Sequence, residues 1–146
     1  MKLSTRTRYG TRMMIHLGLC YGKDPVLLRD IAKEEGISEK YLSQIIIALK
    51  SAGFVNSFRG AHGGYALSRS PSQITIESIV EVLEGKIDLA GEAKSPEEYS
   101  RASACVTRNL WGELSRKISE TLKKITLSDL IKQHEESQVT GVMYNI

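Results

Sequence analysis

The side chains best equipped for chemistry in this chain are its thiols and imidazoles, and they are few. Cys20 and Cys105 are the two cysteines, and His16, His62 and His134 are the three histidines. None shows the C-x-x-C or short Cys/His spacing that gathers donor atoms around one zinc ion. Two cysteines this far apart do not make a disulfide scaffold either. No nucleophile–base pairing, phosphate loop or complete ligand set is visible, so an enzyme or electron carrier is not expected. A different chemistry is better supplied. Lys40, Ser43 and Gln44 fall close together in one stretch of helical periodicity. Gln44 can pair bidentately with an adenine edge, Lys40 can reach guanine or a phosphate, and Ser43 can contact several bases.

The elements that must position these side chains are legible around them. Leu27, Leu28, Ile31 and Ala32 share one face of a helix expected over 27–35, which Gly36 ends. Ser38 is placed to cap the next helix, whose buried stripe is Leu42, Ile45, Ile46 and Leu49. Ala32, Gly36, Ile37, Leu42 and Ile45 have the relative spacing of a helix-turn-helix. The opposite face of the second helix holds Lys40, Ser43, Gln44, Ile47 and Ser51. Such a helix reads bases mainly with its N-terminal part, so residues 38–44 weigh most. Ile47 is the apolar outlier there, suited to a thymine methyl or to neighbouring protein.

A glycine-rich hairpin follows. Phe54, Val55, Asn56, Ser57 and Phe58 alternate like a strand, and Tyr65, Ala66 and Leu67 return. Between them Gly60, Gly63 and Gly64 permit positive φ, and Arg59 and His62 project from the turn. Standing alone this is a plain β-turn. Directly after a helix-turn-helix it reads as a wing, with Arg59, Gly60 and His62 as DNA-contact candidates.

The net charge of +3 is modest but unevenly spread. Residues 1–23 carry Lys2, Arg6, Arg8, Arg12 and Lys23 and no acid, so the remainder is net acidic. Lys2, Arg6 and Arg8 suit phosphate contacts; the plainer reading is a solvated helix face. A hydrophobic content of 41% supports an ordinary core, and 146 residues suit one domain with an added element. No apolar run is long enough to span a bilayer and no signal peptide is evident, which predicts a cytoplasmic protein without membrane contact.

Periodicity predicts a first helix over 4–21, with Tyr9, Met13, Leu17 and Cys20 on one face and Gly10 and Gly18 allowing close helix packing. Cys20 there reads as a small buried hydrophobe. Thr75 caps a helix carrying Ile76, Ile79, Val80 and Leu83 that ends at Gly85. The expected division is a winged helix-turn-helix over 1–85, an exposed effector or linker loop over 86–103, a dimerisation helix and short final helix over 104–134, and a polar tail over 135–146. Leu110, Trp111, Leu114, Ile118 and Leu122 form the stripe expected to meet a second copy; packing within one chain is the alternative. The ending 142–146 is expected to dock on a partner subunit. The fold class is mainly α with a small β-hairpin wing: a winged helix-turn-helix plus a long C-terminal dimerisation helix.

Together the segments MKLSTRTRYGTRMM, DIAKEEGISEKYLSQII, FRGAHGGYAL, CVTRNLW and ITLSDL resemble the family of bacterial winged-helix regulators that includes IscR, CymR and NsrR. The resemblance covers nearly the whole chain in the right order. It implies a homodimer on palindromic operators, joined by a crossed long helix. It also implies DNA contacts at Arg8, Tyr9, Ser38, Lys40, Tyr41, Ser43, Gln44, Arg59 and Gly60. Iron–sulfur members carry three cysteines before and at the start of the long helix, plus a fourth ligand. Cys105 matches the last of those cysteines, the two upstream are absent, and Arg108 stands where IscR-like members place histidine. One thiolate is not enough for a cluster. No cofactor is therefore expected in this form, with an iron–sulfur cluster as the open alternative. Cys105 is an inert helix-start residue, a redox sensor activated by the helix N-terminus with Arg101 and Arg108, or a remnant metal ligand. Members such as CymR instead take their signal from a partner enzyme of cysteine synthesis, so a regulatory partner enzyme joins double-stranded DNA and a second copy as an expected partner. The expected function is a sequence-specific transcription regulator, a repressor, tuned by a redox, iron–sulfur or cysteine-metabolism signal. The alternative is a winged-helix protein-interaction module that does not read DNA.

Overall fold

The computed structural model describes residues 1–92 and 95–144. α1 spans Thr5–Leu19, and Ser4 caps it by accepting the Thr7 N–H on its hydroxyl. α2 (Leu28–Glu35) ends at Gly36, whose φ of +67° is the left-handed geometry that glycine adopts without a Cβ clash. α3 (Glu39–Ser51) starts on Ser38, whose hydroxyl accepts the Tyr41 N–H. β1 (Val55–Phe58) and β2 (Gly64–Leu67) form an antiparallel hairpin in the register Val55–Leu67 to Phe58–Gly64. A 3₁₀ turn at Pro71–Gln73 leads to α4 (Ile76–Leu83), capped by Thr75. α5 (Pro96–Ser100), α6 (Ala102–Lys123) and α7 (Leu127–Tyr144) complete the chain.

One core serves the whole molecule. Met13, Met14 and Leu17 of α1 meet Ile31, Leu42, Ile45 and Leu49 of the helix-turn-helix and Ile79 and Leu83 of α4. Burying each such side chain contributes roughly 1.5–3 kcal/mol before entropy is counted. Gly10 and Gly18 leave room on α1 for side chains of its neighbours. A Cβ on Gly10 would lie 2.3 Å from Leu83 Cδ1, and one on Gly18 2.3 Å from Ile131 Cδ1. Cys20, expected inside, is half-buried at the end of α1.

Three expectations are corrected. The final helix is not short and 135–144 is not an irregular tail: α7 is 18 residues long and its start enters the core, with Leu127 fully buried. Backbone bonds hold this start to α4, Ile76 N–H donating to Ile125 O at 2.9 Å and Leu127 N–H to Ile74 O at 2.8 Å. Periodicity marked Leu127 and Leu130 but missed the continuation, in which residues 132–138 are all polar. The expected loop 86–103 contains α5, too short to show a repeat. The apolar stripe of α6 is divided rather than uniform: Leu122 packs on the chain's own core, and Ile118 is half-buried. Leu110, Trp111 and Leu114 stay 48%, 42% and 38% exposed. The docking expected of 142–146 concerns side chains outside the described residues.

The wing is stiffer than a two-stranded hairpin. Val26 and Tyr65 exchange backbone hydrogen bonds at 2.8 Å each, adding a third extended segment. This close approach needs Gly64, which has φ +142° and whose added Cβ would fall 2.6 Å from Val26 O. The obstacle is backbone and does not yield. Gly64→Ala is expected to destabilise the protein by about 1–3 kcal/mol through strain and overpacking, measured by chemical denaturation.

Candidate nucleic-acid interface

The exposed face of α3 begins at its cap. Ser38 spends its hydroxyl on the Tyr41 N–H, at 3.3 Å, and Ser43 donates its own to Glu39 O at 2.9 Å. Lys40 and Gln44 are exposed, and among the described residues neither makes a hydrogen bond or ion pair. Their side chains are free for an external acceptor or donor. An open groove of about 540 Å³ runs between the starts of α2 and α3 and the wing, lined by Arg29, Glu39, Ser43, Phe58, Gly60 and Gly64 among others. Arg59 and His62 are exposed at the wing and likewise unpaired among the described residues.

Tyr9 and Tyr41, both read as contact residues, are half-buried. Their rings meet edge to face, with centroids 5.9 Å apart, where α1 crosses α3. They carry packing as well as any contact. Lys2, Arg6 and Arg8 are exposed around the start of α1, and Arg8 donates to Thr5 Oγ1 at 3.3 Å. Arg29 carries no motif in the sequence that marks it as a contact candidate. Its side chain is largely exposed and lines the groove, with Asp30 3.9 Å away. Its position in the first turn of α2 was the available signal.

Arg12 and His16 belong to the fold instead. Arg12 Nε donates to Glu35 Oε2 at 2.6 Å and Nη2 to the Glu35 carbonyl at 3.0 Å, while its guanidinium lies 5.5 Å from the Tyr9 ring centre. Buried His16 holds the other carboxylate oxygen, Nε2 to Oε1, at 2.6 Å. Burial pushes the Glu35 carboxyl up, but the hydrogen bonds from His16 and Arg12 and their charges outweigh it and hold the group below the ordinary glutamate range. This cluster fixes α1 against the end of α2.

The family model for Rrf2, described as iron-dependent transcriptional regulator, matches residues 3–133. The chain belongs to the Rrf2 family. It is 38% identical over 144 residues to the HTH-type transcriptional regulator CymR of Bacillus subtilis, covering 99% of both chains. The solved structure of that protein, titled the global cysteine regulator, superposes with a TM-score of 0.78 over 91% of this chain and 98% of that one. IscR of T. potens matches at 40% identity and TM-score 0.77, over 94% and 91%. CymR of Staphylococcus aureus in an oxidized form matches at 33% and 0.73, over 90% and 96%. The mainly helical winged architecture and the DNA-binding, non-enzymatic regulator class are those of these relatives.

The Rrf2 description raises iron, and the residues here do not fit a cluster. Cys105 is exposed on the first turn of α6, and Cys20 ends α1. Among the described residues no group of three His, Cys, Asp or Glu side chains can hold a metal ion. Next to Cys105 lies a hollow of about 170 Å³ lined in part by Glu98, Tyr99, Thr107 and Trp111. Arg108, at the position of the expected histidine, lies 4.6 Å over the Tyr99 ring and donates to Gly91 O at 3.4 Å. A guanidinium supplies no lone pair to a metal. Among the described residues no helix is long and apolar enough to cross a membrane.

The Glu35 cluster predicts a pH dependence. A carboxyl with a lowered folded-state pKa contributes stability that is complete above its unfolded value and is lost as pH falls through the folded one. Stability is therefore expected to fall on acidification below the ordinary glutamate range, and Glu35→Gln should flatten that fall while lowering stability at pH 7. Denaturant midpoints between pH 3 and pH 7 check it.

Proposed function

We propose that this Rrf2-family protein is a repressor that binds palindromic operators as a homodimer in the cytoplasm. The observation that supports the reading is that Lys40 and Gln44 on α3 and Arg59 and His62 on the wing are exposed and unpaired among the described residues, on the two elements that border the groove with α2. Gln44, Lys40 and Ser43 read bases; Arg59 and Gly60 hold the wing on the backbone or in the minor groove; Lys2, Arg6, Arg8 and Arg29 meet phosphates. Ser38, Tyr9 and Tyr41 set the angle of α3. The exposed Leu110, Trp111 and Leu114 of α6 support an interface with a second copy, whose reading helix then falls roughly 34–36 Å away, one duplex turn. Exposed Cys105 and the kinship with a cysteine regulator and an oxidized relative favour a redox or cysteine-metabolism signal, received directly or through a partner enzyme, over a conventional cluster.

Selection of duplexes from a random-sequence pool by the full chain is expected to return a palindrome. Gln44→Ala should relax one base position per half-site, by about 1–3 kcal/mol of discrimination. Arg59→Ala should weaken all duplexes and lower the salt slope by about 1. If both variants select and bind as wild type does, this docking is wrong. Sedimentation should show a wild-type dimer, and Trp111→Glu with Leu114→Glu should yield folded monomers with greatly reduced operator affinity.

A further inference from the structure

The start of α1 carries exposed cations on a helix end that would fray if left to itself. A residue eighty positions away in sequence holds it. Glu84, the C-cap of α4, places its carboxylate against the first turn of α1. Oε2 accepts the Ser4 N–H at 3.1 Å, the Ser4 hydroxyl at 2.6 Å and the hydroxyl of Thr7, while Oε1 accepts the same N–H at 3.4 Å. Every partner is a donor, and an ionised carboxylate is an acceptor on both oxygens. Its negative charge also lies at the positive end of the α1 dipole. Glu84 is exposed, so it adds nothing to the core. Its three donors belong instead to the N-cap Ser4 and the buried Thr7, the residues that decide where α1 begins.

We propose that Glu84 is a positioning residue for DNA binding: it ties the start of α1 to the end of α4, so that Lys2, Arg6 and Arg8 meet the phosphates as one fixed set. The same Ser4 and Thr7 hydrogen bonds hold the Glu84 carboxyl below the ordinary range, so the tie is intact at neutral pH. Reach matters as much as charge. Aspartate is one methylene short of the donors, whereas glutamine keeps the reach and one acceptor but offers its amide hydrogens to groups that are themselves donors.

This inference rests on the DNA-binding reading above. Its test uses the full chain and the duplex that wild type selects from a random-sequence pool, with binding followed against salt concentration. Each phosphate contact contributes about 0.9 to the slope of log affinity against log salt on duplex DNA. Glu84→Ala is expected to lower that slope by about 1–3 as contacts of the α1 cations are lost, with Glu84→Asp close to Ala and Glu84→Gln between Ala and wild type. A purely structural role would lower the fraction of active protein and leave the slope unchanged. A wild-type slope in Glu84→Ala overturns the role of Glu84 alone. A wild-type chain that selects no duplex overturns the DNA reading and this role with it. If Glu84→Ala does not fold, Glu84→Gln decides: a lowered slope supports the role and a wild-type slope overturns it.

Discussion

The close approach of α1 to its neighbours is the constraint on which the other arrangements rest. At Gly10 the absent side chain makes room for Leu83, and at Gly18 for Ile131. α4 and α7 can then lie directly on α1, which at the same time packs on α3 through Met13, Leu17 and Tyr9. A helix so placed has little freedom to tilt, because protein interiors are close-packed and respond to displacement as solids do. The orientation of α3 is therefore inherited from α1. Glycine costs about 1 kcal/mol in a helix interior relative to alanine; the close packing that it permits offsets this loss.

Charge is divided between holding the fold and facing solvent. Arg12 and His16 are taken up by Glu35, and Glu84 is taken up by the first turn of α1. Lys2, Arg6, Lys40, Arg59 and His62 remain exposed and unpaired among the described residues. Composition alone presents all of these cations as equivalent. The acids of the helix-turn-helix and of α4 select which of them stay free. A net charge of +3 therefore does not show which cations face solvent.

The C-terminal region divides in a similar way. The second half of α6 turns Leu122 inward, Ile125 follows it, and Leu127 then completes the core from the start of α7. The first half holds apolar side chains in solvent beside the segment that carries Cys105. A monomer of this shape leaves a contiguous apolar strip uncovered, the usual mark of an interaction surface. Ser115 marks the transition, accepting the Leu89 N–H at 2.8 Å and so holding the preceding segment against α6.

The helix-turn-helix and the wing were legible in the sequence. They follow from local rules: a 3.6-residue apolar repeat, the Ser38 cap, the left-handed Gly36 and the glycines after Phe58. Family membership was legible for the same reason, since its motifs are short and contiguous. The length of α7 was not, because residues 132–138 are all polar and carry no amphipathic signal to read. The division of the α6 stripe was equally hidden, since periodicity marks apolar residues without naming what covers them. The fates of Arg12, His16 and Glu84 were decided by tertiary structure alone. Their partners lie 19 to 80 residues away in sequence. Only the folded chain brings these carboxylates and their donors within hydrogen-bond reach.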